Sequence, residues 1–231
     1  MGRLLLVGNS RWHWARRQAD GLRTWHDSGP PACPEEACAD LEAWAAVGTL
    51  PEGLPLPAAR RFGVERIPLR DLPPWLGVDR ALAGWLAWRE QGHAVLVADA
   101  GTCLSLTRVD ACGRFAGGRL SAGLGLQLRS LGAATAQLPA LPAPLQVAAE
   151  LWPTATAEAM RQGCLQACAA AIIQAWSQLA GSDPGAAEPA PCALWLTGGD
   201  ACLLEPLLRQ QGLQPLLEPD LCLRALAQLS A

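Results

Sequence analysis

Three apolar segments run into glycine-bearing turns that also carry a hydroxyl, an amide or a carboxylate: Val7-Gly8-Asn9-Ser10, Asp99-Ala100-Gly101-Thr102 and Thr197-Gly198-Gly199-Asp200. One such turn says little, because glycine after a strand is most often only a turn residue. Together they suggest a nucleotide cleft. Glycines there let backbone N–H groups approach phosphate oxygens, while a neighbouring hydroxyl or carboxylate fixes phosphate, metal or water. Neither the Walker motif nor the dinucleotide fingerprint occurs, which weakens P-loop and Rossmann readings. His13, His26 and His93 are the only histidines and none has ligand spacing to another or to a cysteine, so a zinc enzyme is disfavoured.

Those turns need elements to hold them. Arg3 to Val7 is a short apolar run that breaks at Gly8-Asn9-Ser10, and alternation around Trp12 and Trp14 predicts a second strand, hence an N-terminal β-hairpin. Thr24 to Pro74 is rich in Pro, Gly and Ala; it reads as short strands and loops, with brief helical patches around Glu35 to Ala46. Asp79 to Gln91 places Ala81, Leu82, Trp85, Leu86 and Trp88 at helical spacing, after the helix-breaking Pro73-Pro74 and Gly77. His93 to Asp99 and Cys103 to Val109 read as a second strand–turn–strand unit. Further on come a long helix over Ala157 to Leu179, a Pro/Ala/Gly loop over Gly181 to Pro191, and a strand over Cys192 to Leu196. A helix to Gln210 and another over Leu221 to Leu229 complete the chain.

Composition bounds the function classes. The chain has 231 residues, 51% hydrophobic and 17% charged, enough to bury one large core or two small ones and too apolar for a disordered or fibrous protein. All 18 basic residues are arginines against 21 acids, a net charge of -3, which argues against nucleic-acid binding through a basic surface. With no lysine, any charge-assisted contact to an anion must use Arg, His, backbone N–H or a metal. No apolar run is long enough for a membrane span or signal segment, so a cytoplasmic protein is expected. Nine cysteines without a C-x-x-C pair read as reduced, mostly buried thiols. Ten tryptophans scattered along the chain read as core and interface packing rather than nucleic-acid stacking.

Several blocks resemble the type III pantothenate kinases, members of the actin-like ATPase superfamily. They are Gly77-Val78-Asp79-Arg80 with Ala81, Val97 to Thr102, Gly113-Arg114-Phe115-Ala116-Gly117-Gly118 leading to Gly123, Thr156 to Met160 before Gly163, and Leu196 to Asp200. The resemblance spans nearly the whole chain. It implies an α/β fold of two ribonuclease-H-like domains with a nucleotide cleft between them, here divided as 1–92 and 93–231. It also implies transfer of the γ-phosphoryl of ATP to the hydroxyl of pantothenate, the first step towards coenzyme A, in a homodimer.

Residue by residue, the resemblance makes Asp79 the general base that takes the hydroxyl proton, a task that suits a carboxylate on the first turn of a helix. Arg80 would hold the substrate carboxylate in a fork. Alone, the pair reads as a helix N-terminal acid beside a surface arginine; the combined spacing favours the catalytic reading. Gly77, Val78 and Thr156 complete the substrate contacts, and Thr156 also reads as an N-cap. Val7, Gly8, Asn9, Ser10, Arg11, His13 and Thr102 would meet ATP, with Gly198 and Gly199 under the adenosine. Asp99 would help hold a monovalent cation, K⁺ or NH₄⁺.

Three positions depart from the family. The first hairpin there carries an aspartate that organises Mg²⁺ and the phosphates, and that place is Leu6 here; His13 stands where many members have lysine. Mg²⁺ would then arrive with ATP, held by phosphates and water. The family's Pro-Gly near the substrate is Ala122-Gly123. Two other readings stay open: a non-catalytic nucleotide- or pantothenate-binding relative acting as a regulatory accessory factor, and a kinase for another small alcohol whose anion Arg80 reads.

Overall fold

The computed structural model describes residues 2–141, 150–180 and 192–231. The expected loop from Gly181 to Pro191 lies outside them. Two compact units are present. The first takes in the residues through Gly92 together with Val109–Phe115 and Asp220–Ala231; the second takes in His93–Arg108 and the described residues from Ala116 to Pro219.

The first unit holds β1 (Arg3–Val7), β2 (Trp12–Gln18), β3 (Gly21–Asp27), α1 (Pro34–Cys38), β4 (Leu41–Ala46), α2 (Val78–Gln91) and α6 (Leu221–Leu229). Its sheet has the order β3-β2-β1-β4, with β1 antiparallel to β2 and parallel to β4. The expected hairpin is present. The expected helical patch is a helix only over α1: Leu41–Ala46 is a strand, because hydrogen bonding to β1 outweighs the helix preference of its Ala and Glu residues.

Alternation decides which side chains go where. Leu5, Val7, Trp12, Trp14 and Trp44 share one face, closed by Ala37 and Cys38 of α1 and by Leu50, Leu54 and Leu56. Trp14 stacks on Trp25 across the β2–β3 pair with ring centroids 6.1 Å apart. The opposite face carries α6, packed on β1, β2 and β4, and α2, packed on α6 and β4. Polar pins hold α6 there: Arg17 donates to the carbonyl of Ala227, and Thr24 Oγ1 donates to Asp220 Oδ2 at 2.8 Å.

The second unit holds β5 (Ala94–Ala100), β6 (Cys103–Val109), β7 (Phe115–Ala122), α3 (Leu124–Ala134), α4 (Thr156–Ala180), β8 (Cys192–Thr197), α5 (Ala201–Gln210) and β9 (Leu216–Leu217), with the ends of β6 and β7 belonging to the first unit. Its sheet order is β7-β6-β5-β8-β9, β5 lying parallel to β8 and β8 to β9. Leu96, Ala98, Leu104 and Leu106 meet Leu124, Leu128, Leu165, Ile172, Leu204 and Leu208 in one core. Of the residues expected inward on α4, Met160, Leu165, Ala169 and Ile172 are buried, while Ile173 and Trp176 are partly so.

Both sheets therefore use one plan: first strand between second and fourth, third strand outside the second. The resemblance extends to the turns. Leu6 stands two residues before Gly8, and Asp99 stands two residues before Gly101. The cysteines are all free, as expected, but only Cys38, Cys164, Cys168 and Cys222 are buried; Cys33, Cys103, Cys112 and Cys202 are exposed because they sit in turns or on outward helix and strand faces. Among the tryptophans, Trp75 and Trp152 are exposed rather than packed. No helix among the described residues is long and apolar enough to cross a membrane.

Candidate active site

In the first unit, α2 begins at Gly77-Val78-Asp79-Arg80 and ends on Gly92, whose left-handed φ of 69° closes the last turn. Val78 is buried in the core, and Asp79 and Arg80 beside it are partly buried. Asp79 Oδ1 accepts the Arg80 backbone N–H at 2.8 Å, and Cys222 Sγ donates to the Asp79 carbonyl at 3.4 Å. Burial pushes the Asp79 carboxyl above its usual range, against the opposing pull of that N–H and of the Arg80 charge. Burial likewise lowers Arg80, with Asp79 opposing. A side chain at Gly77 would displace the Asp79 carboxylate: a Cβ there would fall 2.6 Å from Asp79 Oδ1, with Val47 Cγ1 in ordinary contact at 3.8 Å.

Val47 links this helix start to the first hairpin, since its N–H donates to the Val7 carbonyl at 2.9 Å. The side chain of Val7 is in the core, so a ligand at the hairpin would meet Gly8, Asn9, Ser10 and Arg11, of which the last three are exposed. Gly8 N–H donates to Arg11 carbonyl at 2.9 Å, closing the turn. Gly48 presses on it so closely that a Cβ would lie 2.3 Å from the Gly8 oxygen. His13 is flanked in register by Leu6 and His26. Burial first, then His26 and Arg11, lower its pKa; Asp220 acts the other way. Leu6 is 7% exposed and offers no ligand oxygen.

In the second unit, Asp99 and Gly198 come together at the ends of β5 and β8, and Thr102 lies in the turn that follows β5. Gly101 N–H donates to the Cys103 carbonyl at 3.1 Å and Gly123 N–H to the Thr102 carbonyl at 3.0 Å. Gly198 has φ of 92°, and a Cβ on it would sit 2.4 Å from Asp99 Oδ1 and 2.5 Å from the Ala100 oxygen. Only glycine fits. Asp200 N–H donates to the same Ala100 oxygen at 2.9 Å, leaving Gly199 exposed at the tip. Thr156 is exposed and is the first residue within α4, so it is not the flanking cap that was expected; the last non-helical residue is Ala155, whose carbonyl accepts from Ala159 N–H.

Gly48 escaped the motif reading although it had a signal, the same strand-then-glycine pattern as the other turns. Phe115 stood inside the Gly113–Gly118 block, but its approach to Arg80 had no signal, because the residues that place it are remote in sequence. Arg70 N–H donates to the Gly113 carbonyl at 2.8 Å, Phe115 N–H donates to the Arg70 carbonyl at 2.9 Å, and the Arg80 guanidinium carbon lies 5.8 Å from the Phe115 ring centroid.

Two units on one strand plan, with glycine-lined strand ends, define the fold of actin-like ATPases and sugar kinases. Solved structures agree on that fold: a chain named as a Baf family transcriptional activator from Campylobacter jejuni superposes with a TM-score of 0.61 at 16% identity, covering 98% of this chain and 96% of that one. A chain named as a 2-dehydro-3-deoxygalactonokinase from Sinorhizobium meliloti gives 0.59 at 14% identity, covering 100% and 98%. At such identities the likeness is one of fold alone.

The sequence relationship is narrower. The family model for type III pantothenate kinase matches residues 67–178. A type III pantothenate kinase from Thermosynechococcus vestitus is 39% identical, over 89% of this chain and 80% of that protein, and one from Synechococcus sp. strain JA-3-3Ab is 36% identical over 96% and 89%. The chain belongs to the type III pantothenate kinase family.

Proposed function

We propose that the protein phosphorylates pantothenate at the expense of ATP to give 4'-phosphopantothenate, the entry step of coenzyme A synthesis. The observation that carries this reading is the 39% identity to a pantothenate kinase over 89% of the chain. The Gly77–Arg80 site adds a carboxylate suited to the chemistry.

In this reading the primary hydroxyl of pantothenate attacks the γ-phosphorus in line with the departing ADP, and its proton passes to Asp79. Gly77 and Val78 shape the start of α2 around that carboxylate. Arg80 pairs with the substrate carboxylate, and Thr156 contributes a hydroxyl to it. Gly8, Asn9, Ser10, Arg11, His13 and Thr102 contact phosphates, and Gly198 and Gly199 lie against the adenosine.

A monovalent cation, K⁺ or NH₄⁺, is assigned to Asp99, whose Oδ1 lies with the Ala100 carbonyl where a side chain on Gly198 would be, two oxygen donors with one negative charge. Among the described residues no group of three His, Cys, Asp or Glu side chains is placed to hold a metal. In this reading Mg²⁺ would arrive with the nucleotide, where it would neutralise phosphate charge. Free cysteines fit a reducing, cytoplasmic setting, and exposed Trp75, Trp152, Leu120 and Leu151 offer apolar surface to a second copy in a homodimer.

The test is ATP-dependent phosphorylation of pantothenate by the purified protein with Mg²⁺, with K⁺, NH₄⁺ or Na⁺ in parallel. Turnover that depends on K⁺ or NH₄⁺ is expected. Folded protein that turns over in none of the three salts would sink the reading.

A further inference from the structure

The Val109–Phe115 turn is fastened to the first unit at both ends of α2. Before the helix, the Arg70 bridge supplies two backbone hydrogen bonds, and Arg114 pairs with Asp71 at 3.2 Å. Near the helix C-terminus, Trp88 Nε1 donates to the Ala111 carbonyl at 3.3 Å. The indole also packs against Gly113, where φ is 73° and a Cβ would meet Trp88 Cζ2 at 2.7 Å. So many anchors are more than a five-residue connection between β6 and β7 needs. What they achieve is a fixed place for Phe115, half-buried, with the Arg80 guanidinium 5.8 Å from its ring centroid.

An aromatic face attracts a guanidinium through its quadrupole and uses none of the edge N–H donors. A long arginine side chain otherwise loses considerable rotamer freedom when it must meet a carboxylate in one geometry. We propose that Phe115 is a positioning residue, its ring holding the Arg80 guanidinium so that the edge donors are presented to an anionic group of the substrate. This rests on the reading of Arg80 as the carboxylate clamp. Phe115 touches no reacting atom; it acts through Arg80, and so affects substrate capture rather than the transfer step.

The experiment compares Phe115→Leu, Phe115→Met, Phe115→Tyr and Arg80→Gln, using pantothenate and the neutral analogue in which its carboxylate is a primary alcohol. Whichever of the leucine and methionine variants melts like the parent supplies the ring-free measurement. The expected result is a KM for pantothenate raised about fivefold, with kcat and the KM for ATP little changed and the preference for pantothenate over the neutral analogue reduced by a similar factor. Tyrosine restores the parent values. A ring-free variant with unchanged KM and unchanged preference, beside an Arg80→Gln variant that loses both, overturns the role of Phe115. If Arg80→Gln itself keeps the preference, the clamp reading fails, and the proposal with it.

Discussion

Gly77 and Asp79 exclude one another's side chains: a Cβ at 77 would lie 2.6 Å from Asp79 Oδ1, so the residue that flanks the helix is bare in order that the carboxylate two positions on can fold back over it. The φ of Gly77 is −57°, which any residue adopts; space, not backbone freedom, is what demands glycine there. Gly77→Ala is therefore expected to leave the fold intact and to displace the carboxylate, lowering kcat by about ten- to a hundredfold. Steady-state kinetics alongside circular dichroism would check this, and an alanine variant with parental kcat would refute it.

Asp79 carries a cost in stability that follows from its shifted proton affinity. Its folded-state pKa lies above the usual 3.8, so the native state binds the proton more tightly than the unfolded chain does. Its contribution is full below the unfolded value and is lost as pH rises through the folded one. Asp79→Asn, which still offers an oxygen to the Arg80 N–H, should be more stable than the parent at pH 7, with the difference vanishing below about pH 4. Urea titrations at several pH values would show it.

The same variant should lose turnover. If Asp79 is the base, Asp79→Asn costs about a hundredfold or more in kcat and leaves ATP affinity nearly unchanged. The parent's acid limb in kcat/KM should fall at a higher pH than a free carboxylate would give, since the deprotonated form is the active one. An asparagine variant turning over at the parental rate would remove Asp79 from the mechanism.

At Gly198 both space and backbone are against substitution. Gly198→Ala combines a φ of 92° with two oxygens within 2.5 Å of the new Cβ, so unfolding free energy should drop by about 2 kcal/mol or more, measured by denaturant titration. An alanine variant as stable as the parent would mean that β5 and β8 end less tightly than they do here.

Leu6→Asp tests what the first hairpin lacks. Leu6 is 7% exposed, so a carboxylate there should cost about 3 kcal/mol of stability. If the hairpin faces the nucleotide's Mg²⁺, Mg²⁺-dependent turnover should nonetheless rise; a folded aspartate variant with unaltered turnover would place the metal elsewhere.

The legible parts of this chain were those whose partners are close in sequence. The N-terminal hairpin, α2, α5 and α6 announce themselves through strict alternation or helical spacing, bounded by Gly or Pro. Leu41–Ala46 misled because its composition favours a helix, whereas pairing with β1, nearly forty residues away, makes it a strand. β7 went unread because an edge strand with Gly118, Arg119 and Ser121 exposed has no apolar face to reveal it. α3 was overlooked although Leu124, Leu128 and Leu131 keep the spacing, its glycines breaking the impression of a helix. Around the candidate site, the Gly77–Arg80 block stood out as a motif. The approach of Phe115 to Arg80 did not, since it depends on a bridge between Arg70 and Arg114 that no local pattern encodes.

Both sheets share a strand plan, and each first strand is followed by a glycine two residues after Leu6 or Asp99. Each hairpin is closed on by a bare neighbour, Gly48 against Gly8 and Gly123 against Gly101. The first sheet keeps this strand plan and its closing glycines with an apolar side chain where the second has a carboxylate, so a hairpin of this shape folds without an acid at that place.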